Sequence, residues 1–267
     1  MTAPLLSVRN LSVRYPIHSA FLRRVVQEIR AAEAISFDVP PAGVVGLVGE
    51  SGSGKSSVGK ALLRLAPVSE GEISWEGKAL QNLSEEDFRP FRRQLQIVFQ
   101  DPGASLNPRL SLGELIGEAL VIHFPRLAAS ERRDRCAALF RKVGLDPAWL
   151  DRYPHELSGG QRQRVALARA LAVEPRFIVL DEAVSALDVS VQAGILNLLA
   201  DLREELGVAY LFISHDLAVV DHFCDEVLVM KAGRLVERGH PDQILREPKD
   251  AYTRALVGAV PRLPGGG

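Results

Sequence analysis

The stretch Gly49-Glu50-Ser51-Gly52-Ser53-Gly54-Lys55-Ser56 fits the phosphate-loop pattern G-x-x-x-x-G-K-[ST] without a mismatch. It follows an apolar run at 43–48, which predicts a buried strand, and precedes a helical pattern at 57–65. The glycines allow backbone N–H groups to point toward one phosphate, and the helix adds its positive N-terminal end. In this pattern Lys55 bridges the β- and γ-phosphates and the Ser56 hydroxyl ligates Mg²⁺. The stretch therefore predicts a nucleoside triphosphate site rather than a plain Gly/Ser turn.

The composition is that of a globular protein with a substantial core. The chain has 267 residues, of which 47% are hydrophobic and 24% charged, which suits one large or two small globular units. Its 32 Lys+Arg and 33 Asp+Glu residues nearly cancel, so no net charge favours nucleic acid or membrane lipid. Cys136 and Cys224 lie too far apart for a metal motif or a disulfide framework, which favours a reducing compartment. Without a signal pattern or an apolar run of about 20 residues, we expect a soluble, cytosolic protein.

The order of predicted elements indicates an α/β protein. Strands are predicted at 5–9 and 11–15 (as a half-exposed pair), 34–39, 43–48, 70–77, 94–99, 176–182, 208–213, 226–230 and 234–237. Helical spacing is predicted from about 110 to 153, with further helices at 162–172, 189–206, 216–223 and, as two short helices, 241–257. The insertion at 16–30 is predicted to be a loop with a short helix, and residues 261–267 are expected to be disordered.

The segment between residues 110 and 153 is interpreted as a helical insert between two strands of the core. One apolar stripe comprises Leu112, Leu115, Ile116, Ala119 and Leu120, and another comprises Cys136, Leu139, Phe140 and Val143. The arginines of the insert are interpreted as a solvated helix face, with phosphate or lipid contact as the alternative: Arg126, Arg132, Arg133, Arg135 and Arg141.

An acidic pair ends the apolar run at 177–180. A carboxylate at the C-terminal edge of a parallel strand faces the crevice where ligands bind in such sheets. Asp181 is therefore expected to hold Mg²⁺, directly or through water, and Glu182 to act as the general base that takes a proton from the attacking water. A pair that merely terminates a strand is the alternative, which the upstream Lys55-Ser56 disfavours.

A second candidate anion site lies at Leu157-Ser158-Gly159-Gly160-Gln161. Ser158 can cap a helix and Gln161, three residues on, can complete a capping box. The two glycines between them expose backbone N–H groups at the helix N-terminus, where anions bind. An ordinary capped helix is the alternative, but capping alone does not explain the rest of the motif pattern in the chain.

With these motifs in this order, the sequence resembles the ATP-binding cassette (ABC) family across residues 5–257. The resemblance implies a phosphate-loop NTPase core with a mixed sheet, an N-terminal antiparallel β subdomain and an inserted α-helical signature subdomain. It divides the chain into core and β subdomain (1–100 and 160–240), helical subdomain (101–159), C-terminal extension (241–260) and tail (261–267). It also implies that ATP is sandwiched in a head-to-tail dimer, with the signature of one subunit closing over the γ-phosphate held by the other.

The same resemblance implies the roles of individual residues. It places Tyr15 on the adenine ring, and the triphosphate in a Walker A loop made of Gly49, Ser51, Gly52, Ser53, Gly54, Lys55, Ser56 and Ser57. It assigns Gln100 to Mg²⁺, water and sensing of the membrane partner, Asp181 and Glu182 to Walker B, Asp188 to the D-loop and His215 to the switch histidine. The signature is Ser158, Gly159, Gly160 and Gln161. From the residues alone, Tyr15 could be a strand-end aromatic, Gln100 a turn cap, Asp188 a helix cap and His215 structural.

Three segments are similar to the ATPases of oligopeptide and dipeptide importers: residues 99–109, 152–156 and 251–256. The chain lacks the C-terminal iron–sulphur cysteines of one ATPase type in that branch, so it resembles the partner without the cluster. Gly103 stands where relatives often carry an aromatic residue, and Ala183 replaces a more usual proline. Because residues 182–185 are also similar to nickel-importer ATPases, a nickel or metal-chelate cargo remains open.

The resemblance implies an importer ATPase at the cytoplasmic face of the membrane, with ATP and Mg²⁺ as cofactors. Its implied partners are a second ATPase subunit, two transmembrane permease subunits and, indirectly, an extracytoplasmic binding protein, with no nucleic acid. A different second chain is favoured over a homodimer. One rival is a soluble ABC ATPase acting on DNA or ribosomes, which would have long coiled-coil arms or two cassettes. Another is an ATP-binding scaffold, which would be expected to lack Glu182 or His215.

Overall fold

The structure, a computed structural model, describes residues 3–18 and 25–259. Its strands are β1 Leu6–His18, β2 Val25–Val39, β3 Val44–Val48, β4 Glu70–Trp75, β5 Lys78–Ala79, β6 Leu95–Val98, β7 Phe177–Asp181, β8 Ala209–Ser214, β9 Glu226–Lys231 and β10 Arg234–Gly239. Its α-helices are α1 Lys55–Leu62, α2 Glu85–Gln94, α3 Pro102–Ser105, α4 Leu112–His123, α5 Ala129–Lys142, α6 Gly159–Leu171, α7 Val189–Leu206, α8 Leu217–Phe223, α9 Pro241–Arg246 and α10 Ala251–Gly258. Short 3₁₀ helices cover Pro147–Asp151 and Pro154–Glu156.

The chain divides into two compact units, the first formed by the described residues up to Glu86 and from Ala209 onward. This unit contains an antiparallel sheet with the strand order β2-β1-β4-β5. It also contains the order β10-β9-β3-β8, in which β3 is parallel to both neighbours and β9 forms a hairpin with β10. Every residue of β3 is buried, as expected for a central strand covered on both faces. The α/β fold with an antiparallel and a mixed sheet is thus confirmed.

The predicted pair of N-terminal strands was wrong, because β1 is one continuous strand. An irregularity at Asn10, whose φ is +49°, shifts the register between Val8 and Leu11 and interrupts the alternation without a turn. The predicted loop with a short helix at 16–30 was also wrong where the structure describes it, since β1 continues to His18 and β2 begins at Val25. Residues 19–24 and the tail 261–267 lie outside the described residues.

Helix α1 begins at Lys55, two residues earlier than predicted, and ends at Leu62. The helical pattern at 57–65 places Val58, Leu62 and Leu65 on one predicted apolar face. Val58 and Leu62 are buried, but Leu65 is exposed. The reason is that Arg64 adopts a φ of +57°, which turns the chain out of the helix before Leu65. The phosphate loop thus passes directly into the first turn of α1.

The second unit comprises Asp87–Val208. Strands β6 and β7 are parallel neighbours, and helices α4 to α7 account for most of the remaining chain. The predicted apolar stripes are buried at Leu112, Leu115, Ile116 and Leu120 and at Cys136, Phe140 and Val143, whereas Ala119 and Leu139 are half-buried. Four arginines of the predicted solvated face are exposed, and Arg133 forms an ion pair with Asp151 at 2.8 Å. Arg132 is half-buried and donates to the Leu127 carbonyl oxygen at 2.7 Å. Across the described ranges, no helix is long and apolar enough to cross a membrane.

Candidate nucleotide-binding site

The phosphate loop leaves the carboxyl end of β3 and depends on glycine at two positions. Gly49 has a φ of +148° and Gly54 a φ of +103°, and a positive φ strains other residues. A Cβ at Gly49 would lie 2.1 Å from the Met230 carbonyl oxygen, and one at Gly54 would lie 1.8 Å from the Ala31 carbonyl oxygen. The loop backbone therefore packs so closely on β9 and β2 that a side chain at either position cannot fit.

The Lys55 side chain folds back over the loop. It is only 3% exposed, and its Nζ donates hydrogen bonds to the carbonyl oxygens of Gly49 at 2.7 Å and Glu50 at 2.8 Å. The Glu50 carbonyl also accepts a bond from the Ser53 N–H at 3.2 Å. These contacts hold the positively charged ammonium of Lys55 against the loop, where it would attract a bound phosphate group.

The Ser53 hydroxyl is a buried polar group that lacks a partner. Ser53 is 5% exposed, and its Oγ has no hydrogen-bond partner among the described residues. Buried hydroxyls are normally hydrogen-bonded, because leaving one unpaired is costly. The first turn of α1 also holds no acidic residue, so no carboxylate offsets its positive N-terminal end. Both features fit a bound phosphate.

Tyr15 and His215 belong to the same unit as the loop. The Tyr15 hydroxyl donates to Ser57 Oγ at 3.3 Å, which ties this aromatic ring to helix α1; its stacking on adenine remains a prediction. Val48 is paired with Ser214 in the parallel strands β3 and β8. Because Gly49 and His215 follow these paired residues directly, the loop and the exposed histidine leave the same edge of the sheet.

In the second unit, the predicted acidic pair lies at the end of β7. Asp181 is the last residue of the strand and is buried. Glu182 adopts a φ of +50°, which is uncommon outside glycine and occurs preferentially at functional sites. Its carbonyl oxygen accepts bonds from the Ser185 N–H at 3.1 Å and the Ser185 hydroxyl at 2.9 Å, which hold this turn.

Gln100 lies at the same sheet edge as the acidic pair. Val98 of β6 is paired with Leu180 of β7, so the chain continues past both strands in the same direction. Gln100 is exposed. In the unit that contains them, Gln100, Asp181 and Glu182 thus all lie at or just beyond the carboxyl ends of adjacent parallel strands.

The predicted capping box at the start of α6 is confirmed. Ser158 Oγ accepts a bond from the Gln161 N–H at 3.4 Å, and Gln161 Oε1 accepts one from the Ser158 N–H at 2.9 Å. Ser158 and Gly159 are exposed, whereas Gly160 is buried with its Cα so close to α7 that a Cβ would lie 2.3 Å from Val191 Cγ1. The helix tip is therefore rigidly mounted and open to solvent.

Asp188 caps helix α7, as one interpretation of the sequence predicted. Its Oδ1 accepts bonds from the Val191 N–H at 3.0 Å and the Ser190 hydroxyl at 2.8 Å. These donors, the Val191 N–H first, hold the pKa of Asp188 below its ordinary value. The carboxylate therefore stays charged beside the helix N-terminus.

One contact of the loop was missed from the sequence. The Glu50 N–H donates to the Tyr252 hydroxyl at 3.0 Å, which brings α10 to the phosphate loop. In the sequence, residues 251–256 are similar to importer ATPases. That similarity does not indicate which part of the fold Tyr252 contacts.

A strand, a glycine loop with its lysine folded over it, a helix, and an acidic pair after a second parallel strand together define a phosphate-loop nucleoside triphosphatase. A family model described as "ABC transporter" matches residues 32–185. The chain belongs to this family, the ATP-binding proteins of ABC transporters.

The similar proteins agree with this assignment. Glutathione import ATP-binding protein GsiA of Shigella boydii serotype 4 (strain Sb227) is 50% identical over 258 residues, which are 97% of this chain and 41% of that protein. GsiA of Pectobacterium atrosepticum is 48% identical over the same shares. The chain thus spans less than half the length of these relatives.

Two solved structures share the fold. One is cbiO1 from Clostridium perfringens, part of the ABC transporter complex cbiONQ, with a TM-score of 0.78, 28% identity and 92% coverage of both chains. The other is a dimeric post-hydrolysis state of the ATP-binding cassette MJ0796 bound to ADP and Pi, with a TM-score of 0.78, 27% identity, and coverage of 88% of this chain and 98% of that one.

Proposed function

We propose that this chain binds and hydrolyses ATP to drive an ABC importer that takes up oligopeptides or dipeptides. The observation that carries the proposal is the phosphate loop, in which the Lys55 ammonium lies against the loop carbonyls and the buried Ser53 hydroxyl has no hydrogen-bond partner among the described residues. The relatives are named for import of glutathione, a small peptide, which supports a peptide cargo. Import of nickel or a metal chelate is the second candidate, favoured by the Glu182-Ala183-Val184-Ser185 stretch.

One set of residues is proposed to bind the phosphates and Mg²⁺, and another to hydrolyse ATP. Loop amides, Lys55 and Ser53 would bind the phosphates. The Ser56 hydroxyl, the Asp181 carboxylate and the Gln100 amide offer oxygen ligands of the kind that Mg²⁺ prefers. No cluster of three or more His, Cys, Asp or Glu side chains that could hold a metal ion occurs within residues 3–18 and 25–259. When bound, Mg²⁺ neutralises charge on the transferred phosphoryl group.

Hydrolysis requires an activated water and a closed site. Glu182 would accept the proton of the attacking water and His215 would position that water. Ser158 and Gly160 of a second ATPase subunit would cover the γ-phosphate with the exposed tip of α6. That second subunit is proposed to be a different chain, with a homodimer as the alternative, and residues 5–257 are proposed to act as one ATPase domain.

A groove in the second unit supplies a docking site for the permease. It is a cavity of about 280 Å³ whose lining includes Ile97, Ile122 and Ala166, with Glu118 and Arg169 as charged members. Ile122 is 60% exposed, although a large apolar side chain gains by burial. A cytoplasmic segment of a permease subunit with an apolar face and flanking charges would cover it. This contact would hold the ATPase at the cytoplasmic face of the membrane, with the binding protein acting through the permease.

Ile122→Asp is expected to reduce co-purification with the permease at least about tenfold, because it puts a charge into an apolar contact. The measurement is the yield of ATPase retained on tagged permease subunits after co-expression. Leu206→Asp is the control, since Leu206 is 45% exposed at the end of α7 in the same unit. Equal retention of both variants would contradict the proposal that the permease binds in this groove. Hydrolysis stimulated by nucleic acid, without any permease binding, would overturn the import function itself.

Ser158→Ala is expected to lower the ATP hydrolysis rate at least about tenfold, because the hydroxyl is lost from the γ-phosphate as well as from the cap. The matched control is Ser111→Ala, which removes a serine from another capping box, at the start of α4. Both variants should lose about 1 kcal/mol of folding free energy. Steady-state hydrolysis by the assembled transporter and urea unfolding separate the two effects. If both variants hydrolyse ATP alike, Ser158 is only a helix cap.

A further inference from the structure

Helix α10 contacts the start of the phosphate loop through the buried side chain of Tyr252. Tyr252 is 9% exposed, and its hydroxyl accepts the Glu50 N–H at 3.0 Å. Lys231 Nζ lies 4.7 Å from the centroid of the Tyr252 ring, a cation–π contact. The tyrosine is therefore held on its ring and at its hydroxyl.

The Glu50 peptide links this contact to the phosphate-binding lysine. Its N–H bonds to Tyr252, while its carbonyl oxygen accepts from Lys55 Nζ at 2.8 Å and from the Ser53 N–H at 3.2 Å. A rotation of this peptide would therefore displace the acceptor that holds the lysine. It would also release the turn that carries the Ser53 hydroxyl.

The N-terminus of α10 is itself fixed to the sheet. The Glu237 carboxylate on β10 accepts the N–H groups of Lys249 at 2.8 Å and Asp250 at 3.0 Å, and Asp250 caps the helix by accepting the Tyr252 N–H at 2.8 Å. Burial alone would raise the pKa of Glu237, but these N–H donors, together with the Thr253 side chain and the charge of Lys249, outweigh it and hold the pKa below its ordinary value. A charged anchor thus sets the position of Tyr252.

We propose that Tyr252 is a positioning residue of the nucleotide site, through which α10 holds the Glu50 peptide in the conformation that binds phosphate. The inference rests on the proposed ATP-binding function and adds a role for the C-terminal extension. Tyr252 does not touch the nucleotide in this scheme. It acts on the loop, so it sets the affinity for nucleotides rather than the rate of the chemical step.

The test is Tyr252→Phe, which keeps the ring over Lys231 and removes only the hydroxyl. A buried N–H that loses its acceptor shifts an equilibrium by about tenfold. We expect the dissociation constants of both MgATP and MgADP to rise about tenfold, since both nucleotides place a β-phosphate in the loop, with kcat at saturating ATP within about twofold of wild type. Tyr153→Phe, at an exposed tyrosine in the other unit, is the control and should bind like wild type.

A second variant tests whether the position of α10 affects the phosphate loop, and it leaves Tyr252 unchanged. Glu237→Gln weakens the charged anchor of α10 and is expected to raise the same two constants about threefold, because a neutral acceptor makes weaker hydrogen bonds than a charged one. A lower melting temperature with unchanged nucleotide affinity in both variants would overturn the inference and make α10 purely structural. Failure of the wild-type chain to bind MgATP would instead overturn the proposed function.

Discussion

Glu182→Gln is expected to reduce ATP hydrolysis by about 10²–10⁴-fold, the typical contribution of a general base, while MgATP still binds. The amide keeps the size of the side chain but cannot accept a proton from water. The hydrogen bonds from Lys55 Nζ to the Gly49 and Glu50 carbonyl oxygens do not involve Glu182, so they remain in this variant. Phosphate release by the assembled transporter and equilibrium binding of MgATP measure the two effects separately.

The control for this variant is Glu174→Gln. Glu174 also adopts a positive φ, +57° against +50° for Glu182, so both changes place glutamine on a strained backbone. Glu174 is exposed and pairs with Arg93, where loss of an ion pair has little effect on stability. Near-normal hydrolysis by Glu182→Gln would remove Glu182 from the role of base.

The same variant tests whether nucleotide is held between two subunits. Loaded with MgATP, the hydrolysis-deficient protein should remain a dimer, because the ATP bound between the two subunits is not hydrolysed. Size-exclusion chromatography with multi-angle light scattering measures this directly, with the transporter partners present. A persistent monomer, together with full activity of Ser158→Ala, would contradict the sandwich arrangement.

Gly54→Ala is expected to weaken MgATP binding by more than about 100-fold. Alanine at a φ of +103° is strained, and its methyl group would lie 1.8 Å from the Ala31 carbonyl oxygen. Backbone cannot give way as a flexible side chain can, so the loop must move and its amides no longer converge. A displacement of about 1 Å is enough to cost about 10²-fold in a positioned site. Isothermal titration calorimetry provides the affinity.

Gly77→Ala separates the strain from the collision. Gly77 has a φ of +82° in the same unit, but a Cβ there would meet nothing within 4 Å. Both variants should lose about 1–2 kcal/mol of folding free energy from the positive φ, and only Gly54→Ala should lose nucleotide. Comparable MgATP affinity in the two variants would show that the close packing of the Ala31 carbonyl oxygen on Gly54 does not determine the conformation of the loop.

Several elements were predictable because their signals are local. Helix α7 begins at Val189 and ends at Leu206 as predicted, since an aspartate cap opens it and a glycine follows it. The buried strands β3 and β7 appear as short apolar runs, and the capping box at Ser158 is a spacing of three residues. The roles of Tyr15, Gln100 and His215 in catalysis and binding remain predictions, since they concern groups that meet a ligand.

By itself, the sequence determined the class of site, the family and the order of the buried strands of the α/β core, because these depend on motifs and periodicities within a few residues. Only the tertiary structure decided that β1 runs unbroken through Asn10, that Ala31 leaves no room for a side chain at Gly54, and that Tyr252 holds Glu50. The last pair is separated by 202 residues. Contacts of this kind arise where packing brings distant segments together, and no local pattern in either segment records its partner.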